Sequence, residues 1–208
     1  PNLHLLEGKF RPQLPAREQI APVRLALPAA LLGGPVRCAT VVAPAGYGKS
    51  TLMGQWQSTL ATAATAPSVA WLNLDANDND PSRLLRYLCA ALGRCVPSLA
   101  QARAADSSPA ADLPVLLEEL SIQLAAHPRT VVLFIDDAHV LTSPEATAII
   151  EWLHGSACSG LRTVVGSRRA VGWSTAELRV RGQLLEIDQR SLPFDPDEAQ
   201  RFCESRLT

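Results

Sequence analysis

Short apolar runs alternate along this chain with longer segments of helical periodicity. Apolar and β-branched runs predict strands at 38–42, 68–74, 130–135, 161–166 and 184–187. Between them, apolar residues recur three and four positions apart, which predicts helices at about 48–60, 81–92, 113–124 and 144–154. Strands that alternate with helices are typical of a parallel sheet covered on both faces. We therefore predict an α/β fold, a three-layer α/β/α sandwich with five mainly parallel strands.

Aspartates mark two of the predicted helix starts. Asp80 precedes Pro81, so the aspartate can cap the helix and the proline can occupy its first position. Asp112 can cap the helix that follows. Asp75, Asp78 and Asp80 also form a carboxylate cluster in the sequence. For Asp80, helix capping explains the residue better than metal binding does.

Composition and charge exclude several classes of function. The chain has 208 residues, 47% of them hydrophobic, which is enough for one substantial domain with a core. A formal net charge of −1 gives no electrostatic reason to bind nucleic acid or an anionic membrane. The apolar runs are too short to span a bilayer. Five cysteines without a Cys-x-x-Cys pair indicate reduced thiols in a cytoplasmic protein.

A phosphate-binding loop is predicted between the first strand and the first helix. Glycines there allow backbone N–H groups to curl around a phosphate chain, Lys49 reaches the β- and γ-phosphates, and the Ser50 hydroxyl binds Mg²⁺. Ala43 replaces the usual first glycine, but the flanking strand and helix favour this reading over chance. Tyr47 either packs over the phosphates or wedges the loop against the domain. The predicted residues that bind ATP or ADP are Pro44, Ala45, Gly46, Tyr47, Gly48, Lys49, Ser50 and Thr51.

Two carboxylates follow the third strand. Mg²⁺ prefers oxygen ligands, so we expect Asp136 to bind it together with Ser50, directly or through water. Asp137 lies one residue further, where it can polarise an attacking water. The alternative is that both residues simply cap the next turn. The phosphate loop upstream favours the catalytic interpretation.

An arginine pair follows the fourth strand. Ligands of parallel sheets bind at the carboxyl ends of the strands, so Lys49, Asp136 and Arg168 are expected to face one crevice. Arg168 can read the γ-phosphate because a guanidinium forks onto phosphate oxygens. The alternative is a pair of solvent arginines, which is the favoured interpretation for Arg169. His139 either hydrogen-bonds Asp137, senses the nucleotide, or is an ordinary turn or core histidine.

Several short motifs occur in order and together resemble one known family. They are Ala43-Pro-Ala-Gly-Tyr-Gly-Lys-Ser-Thr, Trp71-Leu-Asn-Leu-Asp75 with Asp78-Asn-Asp80, Phe134-Ile-Asp-Asp137 with His139, Gly166-Ser-Arg168, Arg181-Gly-Gln-Leu-Leu-Glu-Ile187 and Phe194-x-x-Asp-Glu-Ala199. The set resembles the nucleotide-binding domain of the large ATP-binding LuxR-type transcriptional regulators, the group that includes the maltose-regulon activator, within the STAND class of P-loop ATPases. The resemblance covers roughly residue 9 to the end, and Ala43 is normal in that family.

This resemblance implies an AAA-like sheet in which the fourth strand lies between the first and the third. It implies that Arg168 is a sensor residue and that Arg17 lines the nucleotide site. Expected parts are a proline-rich lead-in to that site at 1–37, the P-loop core at 38–192 and the start of a helical subdomain at 193–208. DNA binding is expected only through a C-terminal domain that this sequence does not contain. The expected partners are the nucleotide, other domains of a longer protein and other copies of it, with no membrane.

The favoured function is a regulatory switch that binds ATP or ADP with Mg²⁺, couples the nucleotide state to inducer-dependent self-association, and hydrolyses ATP slowly. The residues predicted to act in hydrolysis are Asp137, Lys49 and Arg168. A P-loop enzyme such as a small-substrate kinase is an alternative, as is a non-hydrolysing nucleotide-binding scaffold. A transporter ATPase is disfavoured because no Leu-Ser-Gly-Gly-Gln segment occurs.

Overall fold

A five-stranded parallel sheet is the centre of the computed structural model, which describes residues 6–13, 29–62, 66–99, 113–155, 158–193, 196–197 and 200. Its strands are β1 (Cys38–Val42), β2 (Ser68–Asn73), β3 (Val131–Asp136), β4 (Leu161–Ser167) and β5 (Leu184–Asp188). Their order is β2-β3-β4-β1-β5, and every neighbouring pair is parallel. The predicted fold class is confirmed, and β4 lies between β1 and β3 as the resemblance implied.

Six helices and three short 3₁₀ turns are described. The helices are α1 (Ala29–Gly33), α2 (Lys49–Ala61), α3 (Pro81–Gly93), α4 (Leu113–Ala126), α5 (Pro144–Leu153) and α6 (Ala176–Val180), and the turns are Glu7–Phe10, Ala76–Asn79 and Ala138–Val140. The four long helices match the prediction. Helix α6 was not predicted, because five residues are too few to show a helical period. Arg17 and Asp112 lie outside the described residues, and the predicted domain boundaries stay predictions.

Both faces of the sheet are covered by helices. On one face, α1 and α2 pack against alternate residues of the strands, and the rings of Trp71 and Phe134 stack there with centroids 5.3 Å apart. On the other face, α3, α4, α5 and α6 cover the remaining strand residues, including Leu133 and Ile135. Strand β3 is buried along its whole length, which explains its continuous apolar sequence.

The aspartates around residues 75–80 act as caps and ion-pair partners. Asp80 Oδ1 accepts hydrogen bonds from the Ser82 and Arg83 N–H groups at 2.9 and 3.3 Å, so its predicted capping role is confirmed. The Asp75 side chain caps the 3₁₀ turn, because its Oδ1 accepts a hydrogen bond from the Asn77 N–H at 2.8 Å. Within the described residues, no three or more His, Cys, Asp or Glu side chains come together in a way that could hold a metal ion.

A buried ion pair fixes residues 6–13 against the edge of the sheet. The Lys9 ammonium lies 2.7 Å from Asp75 Oδ2 and also contacts Asp78, whose carboxylate is fully buried. Arg83 Nε donates to the second oxygen of Asp78 at 3.2 Å. Asn73, the last residue of β2, donates to the backbone carbonyls of Gly8 and Arg11 at 3.1 and 2.8 Å. The segment is therefore attached at both β2 and α3.

Four cysteines lie within the described residues. Cys38, Cys89, Cys95 and Cys158 are free, and burial raises the pKa of Cys38 to about 12. Cys203 lies outside the described residues. In the part of the chain that the structure describes, every helix is too short or too polar to cross a membrane.

We expect Lys9→Met to destabilise the protein, because Asp78 keeps only Arg83 as a charged partner in a water-excluded position. Removal of one member of a buried pair lowers the free energy of unfolding by roughly 3–5 kcal/mol. Urea denaturation measures the loss. Glu177→Gln is the control, since it removes an exposed pair with Arg181. Equal losses in the two variants would show that the Lys9 pair contributes nothing special.

His154 is expected to make stability depend on pH. Its Nε2 lies 2.8 Å from Thr163 Oγ1, and burial lowers the pKa of its ring from 6.5 to about 4. Between these two values the unfolded chain binds a proton that the folded protein does not, so stability falls as pH falls. By pH 4 the histidine of the unfolded chain is almost fully protonated, which lowers the free energy of unfolding by about 3 kcal/mol. Unfolding curves measured from pH 7 to pH 4 should show that the free energy of unfolding falls less in His154→Gln than in the unaltered chain. An equal fall in the two proteins would contradict this.

Candidate functional site

The loop between β1 and α2 is open to solvent and depends on two left-handed glycines. Gly46 and Gly48 have φ angles of 85° and 77°, and no atom lies within 4 Å of the position of an added Cβ. The N–H groups of residues 46–48 donate to no other described residue. The first-turn N–H groups of α2 have no partner within the helix. This set of free donors fits a chain of phosphate oxygens.

Lys49 lies beneath the loop. The residue is only 7% exposed, and its ammonium donates to the carbonyls of Ala43 and Pro44 at 2.7 and 2.8 Å. An ammonium has three donors, so one remains for a ligand. Burial lowers the pKa of Lys49, and the carboxylates of Asp136 and Asp137 oppose that shift. Lys49 therefore lies close enough to Asp136 and Asp137 for their negative charges to affect its pKa.

The two aspartates after β3 differ sharply in environment. Asp136 is buried, and its Oδ1 accepts a hydrogen bond from the Asp137 N–H at 2.8 Å. Asp137 has φ 57° and ψ 33°, and it is the one non-glycine residue of the described segments with a positive φ. Its side chain is 45% exposed and makes no capping hydrogen bond. The carboxylate of Asp137 is therefore available for a reaction, whereas capping does not account for it.

Gly166 in β4 leaves space for Asp136. A Cβ at this position would lie 2.6 Å from Asp136 Oδ1 and 2.7 Å from Met53 Sδ. Only glycine therefore allows β3 and α2 to approach β4 as they do. Gly166 belongs to one of the short motifs, but no role for it was predicted from the sequence. An isolated glycine inside a strand is the signal that would have indicated a close approach.

The two arginines after β4 point to different partners. Arg168 Nε lies 3.9 Å from Asp137 Oδ1, and the side chain is 54% exposed. Arg169 Nη2 donates to the carbonyl of His139 at 3.0 Å. The fully buried Ser167 supports this turn, since its hydroxyl donates to the Arg169 carbonyl at 2.5 Å. Arg169 is thus attached to the neighbouring loop and is more than a solvent arginine.

The structure brings four of the predicted site residues to one edge of the sheet. They are Lys49, Asp136, Asp137 and Arg168, contributed by the carboxyl ends of β1, β3 and β4. Ser50 and Thr51 lie half-buried in the first turn of α2, close to the loop. Tyr47 is 47% exposed, so it does not wedge the loop against the domain. Arg17 cannot be placed, because it lies outside the described residues.

His139 stands beside the acidic pair without bonding to it. Its Nδ1 is buried and lies 3.7 Å from Asp137 Oδ1, which is too long for a hydrogen bond. Burial lowers the pKa of the His139 ring. The positive charges of Arg168, Lys49 and Arg169 lower it further, whereas the negative charge of Asp137 raises it. The predicted hydrogen bond to Asp137 is therefore not formed here. A role near the nucleotide stays a prediction.

Comparison with known proteins agrees with this geometry. Residues 13–165 match the family described as the AAA ATPase domain. The chain belongs to this family. Membership implies nucleotide binding, and the loop, Lys49 and the acidic pair of this AAA ATPase domain fit a nucleotide. The predicted resemblance to the group of the maltose-regulon activator is confirmed, because a regulator of that group is similar to this chain.

One similar protein is the HTH-type transcriptional regulator MalT of Cronobacter sakazakii. It is 38% identical in an alignment of 200 positions that covers 93% of this chain and 21% of the regulator, so the chain spans about a fifth of that relative. Among solved structures, Cdc6p from Pyrobaculum aerophilum has a TM-score of 0.53 at 15% identity, over 85% of this chain and 45% of that one. A Drosophila ORC structure with AT-rich DNA and Cdc6 has a TM-score of 0.51 at 15% identity, over 86% and 60%. These structural likenesses show the fold alone.

Gly166→Ala is expected to disturb the site and the core together. The new methyl group would contact Asp136 and Met53 below normal van der Waals distance, so the variant should lose about 1–3 kcal/mol of unfolding free energy. Denaturant unfolding gives the measurement. Gly33→Ala is a matched control, because no atom lies within 4 Å of its Cβ position. Unchanged stability of Gly166→Ala would contradict the close approach described above.

Proposed function

We propose that this chain is the nucleotide-dependent switch module of a transcriptional regulator, which binds ATP or ADP with Mg²⁺ and hydrolyses ATP slowly. The observation that carries the proposal is the meeting of Lys49, the Asp136–Asp137 pair and Arg168 at one edge of the sheet. Similarity to the regulator MalT supports the regulatory context. A cytoplasmic location follows from that context.

Each residue has a role that its position supports. The N–H groups of Gly46 to Lys49 and the Lys49 ammonium hold the phosphate chain. Ser50 and Asp136 hold Mg²⁺, which neutralises charge on the phosphate oxygens when bound. Pro44, Ala45, Tyr47 and Thr51 line the loop, and Arg17, which lies outside the described residues, is added on the family resemblance alone.

Asp137 and Arg168 act on the reaction itself. The exposed Asp137 carboxylate orients a water molecule and accepts its proton as the water attacks the γ-phosphorus, and the bond from the γ-phosphorus to the bridging oxygen breaks. Arg168 pairs with the γ-phosphoryl oxygens and stabilises their charge. Both side chains lie near the position where ATP and ADP differ.

Switching follows from that difference. Asp137 lies on the loop after β3, and Arg168 lies on the loop after β4. The γ-phosphate of ATP therefore contacts two separate segments, and ADP, which lacks this phosphate, contacts neither of them. A ligand shifts a conformational equilibrium only through such differential contacts. We infer that the two nucleotides favour different arrangements of this domain relative to other domains of a longer protein and to other copies of it. DNA contact belongs to a separate C-terminal domain.

Lys49→Ala should weaken nucleotide binding, because it removes the one buried cation of the loop. Loss of a charge-assisted hydrogen bond of roughly 1.5–3 kcal/mol corresponds to an affinity about tenfold to a hundredfold lower. Titration calorimetry with ADP and with a non-hydrolysable ATP analogue measures it. Arg86→Ala removes a side chain that donates to the Ser82 carbonyl within α3, and this variant should bind as the unaltered chain does.

Asp137→Asn distinguishes the competing functions. Asparagine tolerates the left-handed backbone, so the variant removes the negative charge of Asp137 and keeps the turn. We expect retained nucleotide affinity and loss of the slow hydrolysis. Hydrolysis that survives unchanged would contradict the role of Asp137, and undetectable hydrolysis in the unaltered chain would indicate a nucleotide-binding scaffold. Transfer of phosphate to a soluble acceptor would indicate a kinase. If Lys49→Ala binds nucleotides with unchanged affinity, the proposed nucleotide site is wrong.

A further inference from the structure

The segment Asp137–Ser143, called here the acidic loop, is held from two sides by side chains for which the sequence predicted no role. One is Asn79, which comes from the 3₁₀ turn after β2. The other is Arg169, which follows β4. Both contact the acidic loop through its backbone, so they constrain its path whatever its own side chains do.

Asn79 forms the tighter attachment. Its Oδ1 accepts hydrogen bonds from the N–H groups of Thr142 and Ser143 at 2.7 and 2.8 Å. Its Nδ2 donates to the Val140 carbonyl at 2.9 Å. Because one amide satisfies both donors and acceptors of the same stretch, the end of the acidic loop has a defined position next to β2.

Arg169 holds the middle of the acidic loop. Its guanidinium donates to the His139 carbonyl at 3.0 Å, two residues beyond Asp137. The arginine is itself oriented by buried Ser167, whose hydroxyl accepts from the Arg169 N–H at 3.4 Å and donates to its carbonyl. Arg169 therefore connects the end of β4 to the acidic loop and follows directly after the predicted γ-phosphate contact, Arg168.

The backbone of Asp137 needs such support. A left-handed conformation is unfavourable for a residue with a side chain, and it persists where the surroundings determine it. The hydrogen bond from the Val140 N–H to the Asp137 carbonyl, at 3.1 Å, closes the turn locally. Asn79 and Arg169 then attach this turn to β2 and β4, which the sheet keeps rigid.

We propose that Asn79 and Arg169 are positioning residues for hydrolysis, which act through Asp137 by fixing the acidic loop between the ends of β2 and β4. The inference rests on the proposed function, because it needs Asp137 to be the group that orients water. It assigns Arg169 a task different from that of Arg168: Arg168 faces Asp137 and the ligand space, whereas Arg169 contacts protein backbone.

The first experiment compares binding with a single turnover of ATP under excess protein. Arg169→Ala should slow hydrolysis about threefold to tenfold, the range expected for one net hydrogen bond, while affinities for ADP and a non-hydrolysable ATP analogue change less than twofold. Arg169→Lys should recover part of the rate, since it keeps one donor. Arg86→Ala, which also loses an arginine bond to a carbonyl, is the matched control.

The second experiment asks whether Arg169 acts through Asp137. In an Asp137→Asn background, Arg169→Ala should cause no further loss of the residual rate, because residues that act as a unit are not additive. A further loss in that background, or a parallel loss of nucleotide affinity in the single variant, would show direct contact with the nucleotide and overturn the proposal.

Asn79 is tested in parallel. Asn79→Ala should slow hydrolysis more than Arg169→Ala does, because it removes three backbone contacts, and circular dichroism checks that the variant folds. Asn79→Asp keeps the acceptor for Thr142 and Ser143 and should retain more of the rate. If the unaltered chain binds nucleotide but hydrolyses none in a single turnover, this inference fails and the binding site stands. If it binds none, the proposed function fails as well.

Discussion

The parallel pairing of β4 with both β1 and β3 is the constraint on which the site depends. Val42 pairs with Ser167, and Ile135 pairs with Val165, so the three strands end at nearly the same level. The loops that follow them then carry the phosphate loop, the acidic pair and the arginines. A parallel sheet requires that each strand be followed by a crossover, which is why the helices lie on both faces and leave this edge open.

Close approach of backbone and side chains completes that edge. Gly166 allows the buried carboxylate of Asp136 to lie against β4, and Met53 of α2 fills the same space from the other side. Lys49 is held on carbonyls of its own loop and near both aspartates. Charge, packing and strand register are therefore coupled here, since a shift of β4 by one residue would place a side chain where the carboxylate lies.

The use of basic residues divides between folding and the site. The chain has two lysines, and both are buried: Lys9 pairs with a buried carboxylate, and Lys49 lies beneath the phosphate loop. A lysine is a compact charge with three donors, so it fits a small polar space that a planar guanidinium would not. Arg168 and Arg169, by contrast, extend across loops, and their reach connects the ends of β3 and β4.

The sequence alone determined the five strands, the long helices, the cap at Asp80 and the residue types of the site. Those features depend on local periodicity and on short motifs, which are readable without contacts. The strand order followed from family resemblance, not from periodicity. Only the tertiary structure decided that Lys9 pairs with Asp78, that Gly166 is a contact point, that Asp137 is left-handed, and that Asn79 and Arg169 hold the acidic loop. Apart from the backbone of Asp137, each of these features joins residues distant in the chain, and such partners are set by how the layers pack.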